Sequence, residues 1–146
     1  MLTFVWISTL AVVAYACWLG SAPERQGAVI IATWYVADPI YHMFSGPAQF
    51  RFVDPGHVVM DSIETLAIGY VALRANRVWP LWVTAAETTA ISGHISVLAE
   101  PIGLQKAYYA VTQLPIYLQL LALACGTFAH HRSFLRIGPY RDWRIG

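Results

Sequence analysis

One short segment of the sequence concentrates titratable side chains within an apolar stretch. His57, Asp61 and Glu64 are spaced i, i+4 and i+7, so a helix carries all three on one face. The segment stays apolar to Ala75 and is long enough to cross a membrane. Ionisable groups in such a segment are costly and usually face a bundle interior, a cavity or a partner. We therefore predict that this stripe forms one wall of a functional cavity.

Two further apolar segments also carry their polar groups on one helical face. Asp38 and His42 are spaced i, i+4, and Glu87 and His94 are spaced i, i+7. At a rise of ~1.5 Å per residue, Asp38 lies near the middle of its segment and Glu87 roughly 5 Å to the inner side. The other groups fall roughly 4–8 Å to the outer side: His42, Asp61, Glu64 and His94. This common level predicts one shared cavity; separate buried pairs, such as Asp38 with His94, are the alternative.

A cavity of this composition suits acid/base chemistry on an apolar substrate. Carboxyl groups in low-dielectric surroundings resist ionisation, whereas a neighbouring histidine favours the ionised form. One group can then give a proton while another takes one. In this interpretation Asp61 and Glu64 are the acid/base carboxyl groups. His42 and His94 tune or relay protons, and Asp38 orients His42.

Other chemistry is compatible with the same residues. Carboxylates and imidazoles are suitable metal ligands, although their spacing lacks the duplicated Glu-x-x-His of di-iron bundles. His42 and His94, at one level on two helices, are the candidate axial ligands of a b-type haem. A polar core that only fixes helix packing needs no chemistry at all. The acid/base interpretation requires no metal and no cofactor, and we expect neither.

The composition indicates a membrane protein. Of the 146 residues, 58% are hydrophobic and 12% are charged, whereas a soluble domain carries about 25% charged residues. The formal net charge of +1 predicts no nucleic-acid partner. Cys17 and Cys125 both lie in apolar runs, so we expect buried free thiols rather than a disulfide or a zinc site.

Five apolar runs of spanning length predict an all-α, polytopic membrane bundle with a single domain over residues 1–146. Polar or Pro/Gly-containing breaks separate the runs, beginning with Ser21–Gly27. The predicted transmembrane helices are approximately 2–20, 28–45, 57–75, 81–99 and 107–129, followed by a basic tail at 130–146.

The basic residues predict the orientation of the bundle. With five spans, Arg51 and Lys106 share the side of the N-terminus, and the other side holds the remaining seven basic residues: Arg25, Arg74, Arg77, Arg132, Arg136, Arg141 and Arg144. The positive-inside rule then predicts an N-terminus outside and a cytoplasmic C-terminus. We expect His130 and His131 to contact headgroups of the cytoplasmic leaflet.

Several short motifs resemble those of a known family. The sequence has Asp54, then Met60-Asp61-Ser62-Ile63, Ala90-Ile91-Ser92-Gly93-His94, Val97-Leu98-Ala99-Glu100, Tyr108-Tyr109 and Gln113. Over approximately Trp34–Ala129 the chain resembles the EXPERA superfamily, which includes the emopamil-binding-protein sterol isomerases and the sigma-2 receptor. The resemblance implies a leading helix followed by a four-helix core, and an isomerase that moves a double bond through a carbocation.

The resemblance also implies roles for individual residues. In those isomerases an acidic residue and a histidine on the second helix act with a glutamate on the third. By position, Asp61 stands where that glutamate stands, and Glu64 stands where a threonine is usual. Asp38 and His42 replace the second-helix pair, with the order of acid and histidine reversed.

Other positions depart from the family pattern. His94 occupies a position that is usually acidic, and Gln113 occupies one that is usually asparagine. The tryptophan expected just after that asparagine is missing, and Ile116 and Tyr117 stand there instead. Because an aromatic face stabilises a nearby cation, these departures favour a non-sterol terpenoid or lipid substrate, or ligand binding alone.

The sequence therefore predicts an EXPERA-like membrane isomerase or cyclase that acts on an apolar lipid, sterol-like or terpenoid molecule. The candidate substrate-binding residues are Glu87, Gln113, Trp34, Tyr35 and Tyr117. One alternative is a non-enzymatic lipid-binding protein or accessory subunit, partnered by a second copy or by a larger membrane complex. The short loops favour this alternative. A haem or metal-binding membrane protein is the third possibility.

Overall fold

Five α-helices make up most of the chain that the computed structural model describes, which comprises residues 2–46, 53–99 and 105–144. The helices are α1 (Leu2–Leu19), α2 (Ala22–Ser45), α3 (Pro55–Arg74), α4 (Trp79–Ala99) and α5 (Gln105–Ile137). These described ranges contain no β-strand, and the prediction of an all-α fold is confirmed. Helix α4 packs between α3 and α5, and α1 packs against α2 and α5.

Local sequence determines where α2 begins. Ser21 precedes the helix with an extended backbone, and Pro23 lies in the first turn, where a missing N–H has no cost. The Glu24 carboxylate accepts hydrogen bonds from Ser21 N at 3.1 Å and from Ser21 Oγ at 2.7 Å. These signals start the helix at Ala22 rather than near residue 28, so the predicted polar break forms its first turns.

Helix α3 also begins at a defined cap. The Asp54 carboxylate accepts a hydrogen bond from Gly56 N at 2.9 Å and from Tyr41 Oη at 2.6 Å. Burial alone would raise the pKa of Asp54, but these hydrogen bonds hold that pKa below its ordinary value. Pro55 is the first residue of the helix, where the fixed φ of proline already suits a helical backbone. The cap therefore connects the start of α3 to the end of α2.

The predicted tail is largely part of the fold. Helix α5 continues to Ile137 rather than ending near residue 129. Gly138 then turns the chain with a positive φ of 76°. Asn76 N donates to Asp142 O, and Arg144 N donates to Arg74 O, each at 2.8 Å. The tail therefore packs back against the α3–α4 connection rather than lying free among headgroups.

A buried ionic cluster holds this end of the bundle together. The Arg77 guanidinium donates to Glu24 Oε1 at 3.0 Å, to Asp142 Oδ1 at 2.7 Å and to His130 Nδ1 at 2.9 Å. It also lies 4.6 Å from the centroid of the Tyr140 ring. Glu24, Arg77 and His130 are buried, so His130 belongs to the interior rather than to the predicted headgroup contact.

One tryptophan joins three helices next to this cluster. Trp79 is buried at the start of α4, and its Nε1–H donates to Glu24 Oε1 at 3.2 Å. Its indole lies against Gly27 of α2 and Gly126 of α5, where a Cβ on either glycine would overlap the ring. The close approach of α2 and α5 to α4 therefore requires glycine at both positions.

The outer surface of the bundle is apolar, whereas its interior holds ionisable groups. Large hydrophobic side chains are exposed on all five helices, among them Phe4, Trp18, Met43, Phe44, Leu66, Leu73, Trp82, Ile95, Leu121 and Leu135. Cys17 and Cys125 are free thiols as predicted, but both are exposed on this surface rather than buried. Both cysteines lie on the outward-facing sides of their helices, together with the exposed apolar residues.

Length and composition identify one helix in the described ranges that can cross a membrane. This helix is Ala107–Ile137. The helical segment Thr3–Leu19 is also apolar but shorter. Within the described ranges, α2, α3 and α4 do not meet this length and composition.

Replacing Arg77 with Ala tests the contribution of the ionic cluster. The change leaves the fully buried Glu24 carboxylate without its cation, and breaking such a pair typically costs about 3–5 kcal/mol of unfolding free energy. Denaturant unfolding of purified variants measures the loss. Arg25→Ala is the matched control, because Arg25 is exposed and adjacent to Glu24; we expect a change within about 0.5 kcal/mol. Equal stability of the two variants would contradict the assignment.

Candidate functional site

A cavity of about 480 Å³ lies within the bundle, toward the end opposite the Arg77 cluster. All five helices contribute to its walls, with Trp6 from α1 and Tyr108 from α5 among the lining residues. All ten candidate residues from the sequence line it: Asp38, His42, Asp61, Glu64, His94, Glu87, Gln113, Trp34, Tyr35 and Tyr117. The structure thus brings the polar faces of α2, α3 and α4 to one space.

Asp61 is the most completely hydrogen-bonded of the candidate carboxylates. Its Oδ1 accepts from Trp34 Nε1 at 3.1 Å, and its Oδ2 lies 3.0 Å from His94 Nε2. Since a carboxylate only accepts, His94 Nε2 is the donor of this contact, and His94 Nδ1 lies 2.8 Å from Tyr108 Oη. A hydrogen-bonded chain therefore connects Tyr108, His94 and Asp61. His94 pairs with Asp61, so the alternative pair of Asp38 with His94 is not formed.

Two polar atoms of the cavity wall have unused hydrogen-bonding capacity. Glu64 is only 4% exposed, and its Oε1 has no hydrogen-bond partner among the described residues. The buried Tyr35 Oη likewise has no hydrogen bond of ordinary geometry to a described residue, and the side chain of Thr9 is its polar neighbour. Burying such a group unpaired costs free energy, so an orphaned atom in a cavity wall indicates a ligand group or a water that completes it.

Glu87 lies near Glu64, and the side chain of Gln119 interacts with both carboxyl groups. The Gln119 amide donates from Nε2 to Glu87 Oε1. Both residues are buried and line the cavity from α4 and α5. Gln119 is not among the residues predicted from the sequence, although one signal was available: it is a polar residue between Leu118 and Leu120 in an apolar run.

Asp38, His42 and His57 form a separate group at one end of the cavity. Asp38 Oδ1 lies 2.9 Å from His57 Nε2 and 3.5 Å from His42 Nε2. The two Nε2 atoms are 3.1 Å apart. Asp38 was predicted to orient His42, but its shorter contact is with His57. His57 lies half-buried in the cavity wall and is not only an interfacial side chain.

This arrangement assigns His42 and His94 to different clusters. His42 contacts His57, whereas His94 contacts Asp61 and Tyr108. The geometry therefore favours separate roles for the two histidines over a shared haem. Arg51 and Glu100, which also belong to the sequence predictions, lie outside the described residues.

No family model, curated protein or solved structure matches the chain. Its chemistry is therefore inferred from the cavity. A fully paired Asp61, an underused Glu64 and aromatic walls suit a ligand that is mostly apolar and that exchanges protons with a carboxyl group.

Replacing Trp34 with Phe tests the coupling between Asp61 and its indole donor. Phenylalanine preserves much of the packing but removes the N–H, and a hydrogen bond to a charged group is worth about 1.5–3 kcal/mol. We expect a loss of that size in denaturant unfolding. Trp82→Phe is the control, because Trp82 is 69% exposed, and it should change stability by less than about 0.5 kcal/mol. A Trp34→Phe variant as stable as the control would exclude a structural role for this bond.

Proposed function

We propose that the five helices cross a membrane, with the N-terminus outside and the C-terminus in the cytoplasm. The helices contain between 18 and 33 residues, or roughly 27–50 Å at the α-helical rise, against a hydrocarbon core of about 30 Å. The exposed apolar surface and the buried ionisable groups support this proposal, because lipid favours that distribution over water.

Reporter fusions test this topology. A fluorescent protein fused after Gly146 should be bright in cells, because the C-terminus is cytoplasmic, and alkaline phosphatase at the same position should be inactive. The reverse result is expected for fusions inserted at residues 47–52, which the proposed topology assigns to the outer side of the membrane. Activity of alkaline phosphatase at both positions would contradict a five-span topology.

We further propose that the protein is an isomerase or cyclase that moves a double bond in an apolar lipid or terpenoid. The observation that carries this proposal is the orphaned Oε1 of Glu64 beside the paired Asp61–His94 unit. The unpaired Oε1 of Glu64 is the oxygen that can contact a substrate. Asp61 lies one helical turn before Glu64 on α3, and its partner His94 on α4 lines the same cavity, so that the two can complete the exchange of protons.

The proposed reaction balances without an oxidant or reductant. One carboxyl group gives a proton to an alkene carbon, which forms a C–H bond and leaves a carbocation on the neighbouring carbon. The other group removes a proton from the next carbon, so that C–H bond breaks and a new double bond forms. The resemblance to the EXPERA isomerases implies the same steps, with Asp61 in the position of their third-helix glutamate.

The walls of the cavity suit such an intermediate. Trp34, Tyr35 and Tyr117 line the cavity together with the carboxylates. An aromatic face attracts a nearby cation by about 0.5–2 kcal/mol, with the larger value for desolvated sites. Tyr117 thereby compensates in part for the tryptophan that the family pattern leads one to expect near this position.

Deuterium incorporation tests the reaction on several classes of apolar substrate. Protein in lipid nanodiscs is incubated in D₂O with a ring-unsaturated sterol, a cyclic terpenoid or a linear polyprenyl lipid. Mass spectrometry should then find an isomer of the substrate in which one deuterium has replaced one hydrogen. Glu64→Gln and Asp61→Asn should lower this rate by about 10²–10⁴-fold, the usual contribution of acid/base catalysis, while leaving folding and ligand uptake largely intact.

Asp54→Asn is the matched carboxamide control, because Asp54 caps α3 outside the cavity lining. Its rate should equal that of the unchanged protein. Full activity in both Glu64→Gln and Asp61→Asn would exclude the proposed roles. A lipid that co-purifies stoichiometrically but never acquires deuterium would favour the non-enzymatic lipid-binding protein instead.

A further inference from the structure

Three side chains at one end of the cavity bring potential metal-ligand atoms close together. These atoms are Asp38 Oδ1, His42 Nε2 and His57 Nε2, which lie within 4.8 Å of one another. The individual separations are 2.9, 3.1 and 3.5 Å. Two imidazoles and one carboxylate are a donor set that borderline divalent metals prefer. The acid/base mechanism proposed above assigns these three residues no contact with the reacting carbons.

The separations match the spacing of ligands around a single small cation. Zinc–nitrogen and zinc–oxygen bonds of about 2.0–2.2 Å place tetrahedral ligand atoms roughly 3.3–3.6 Å apart, and octahedral ones roughly 2.8–3.1 Å apart. The three observed distances span these two ranges. An ion therefore fits among the three atoms with shifts of a few tenths of an ångström, within the rotameric freedom of the side chains.

A hydrogen bond to Gly46 determines which ring nitrogen of His42 carries a proton. Its Nδ1 lies 2.7 Å from the carbonyl oxygen of Gly46, which can only accept, so Nδ1 carries the proton. His42 Nε2, the nitrogen on the other side of the ring, lies 3.1 Å from His57 Nε2 and is the atom available to a metal. A backbone carbonyl that holds the remote nitrogen of a histidine is a recurrent support of metal ligands. In the unbound cluster, His57 Nε2–H serves as donor to Asp38, and metal binding moves that proton to Nδ1 or releases it.

The surroundings hold the rings in place and leave the three side chains partly exposed. Trp34 stacks on His57 with centroids 6.5 Å apart, and Tyr41 lies 5.1 Å from the His42 ring. Both histidine side chains are 17% exposed and that of Asp38 is 31% exposed. The cluster lies near the end of α2 and the start of α3.

We propose that Asp38, His42 and His57 form a binding site for a divalent transition-metal ion, with Zn²⁺ as the best-suited ion. Three protein ligands leave one or more positions for water or for an oxygen of the cavity's ligand, the arrangement of zinc sites that act on substrates. The proposal does not depend on the isomerase activity, because it concerns metal binding alone. If both are correct, the ion would anchor a polar group of the substrate at one end of the cavity.

Zinc binding by the full-length protein tests the site. The protein is purified without a histidine tag, treated with a chelator and desalted, then titrated with Zn²⁺ in a calorimeter. Elemental analysis after a second desalting should find one zinc per chain. Mg²⁺ should give no binding under the same conditions, because it prefers oxygen ligands. Failure to retain zinc would overturn the proposal and identify the group as a hydrogen-bonded cluster.

Single substitutions locate the metal. His57→Ala and Asp38→Ala should each weaken zinc binding by at least about 100-fold, since even the loss of an outer-shell partner costs 10–100-fold. His131→Ala is the matched control, because His131 lies at the far end of α5 and outside the cavity lining; its affinity should be unchanged. Loss of zinc in His94→Ala with full retention in His57→Ala would place the metal elsewhere and overturn the assignment.

Cobalt binding provides a measurement that needs no substitution. Co²⁺ in a site with imidazole and carboxylate ligands gives visible absorption bands whose intensity reports its coordination number. One equivalent of Co²⁺ should give such bands, and one equivalent of Zn²⁺ should abolish them. Absence of the bands would overturn the proposal even if the alanine variants fail to fold.

Discussion

The cost of burying a charge is the constraint on which the structure depends most. Arg77 and Glu24 are both withdrawn from solvent, and each would be strongly destabilising without the other. Their contact joins the start of α2 to the α3–α4 connection, and Asp142 and His130 extend it to the tail and to α5. A single ionic cluster thus positions segments that are distant in the sequence. The geometry of the cavity depends on the helices that the cluster aligns.

The two ends of the bundle use similar side chains for different purposes. In the Arg77 cluster, an arginine with several donors meets acceptors on all sides, which suits a structural joint. In the cavity, carboxylates and histidines meet without a lysine or arginine among the lining residues that the structure describes. Hydrogen-bonding capacity is therefore left at Glu64 and Tyr35. The contrast separates a part of the molecule that holds its shape from a part that is suited to interact with other molecules.

Much of this architecture could be predicted from the sequence, because apolar runs and helical spacing are local properties. The number of helices and the shared level of Asp61, Glu64 and His94 follow from such patterns. The hydrogen-bond partner of each side chain does not follow from the sequence, because it depends on how the helices are rotated relative to one another. Asp38 therefore has its shorter contact with His57 rather than with His42.

Residues near helix ends were harder to interpret from the sequence. The segment after Ser21 contains a proline and charged residues, which are also typical of a loop, but its capping pattern makes it a helix start. His130 follows an apolar run and precedes arginines, so its burial depends on Arg77, which lies 53 residues earlier in the sequence. Exposed cysteines could not be distinguished from buried ones, because an apolar sequence environment does not reveal which side of a helix faces outward.

The indole of Trp79 has a consequence for the motion of the bundle. Because it fills the space left by Gly27 and Gly126, α2 and α5 cannot slide or rotate relative to α4 at that level without separating from the ring. The helices are therefore pinned near one end and behave as levers about that point. The largest displacements available to them are at the opposite end, where α2 meets α3.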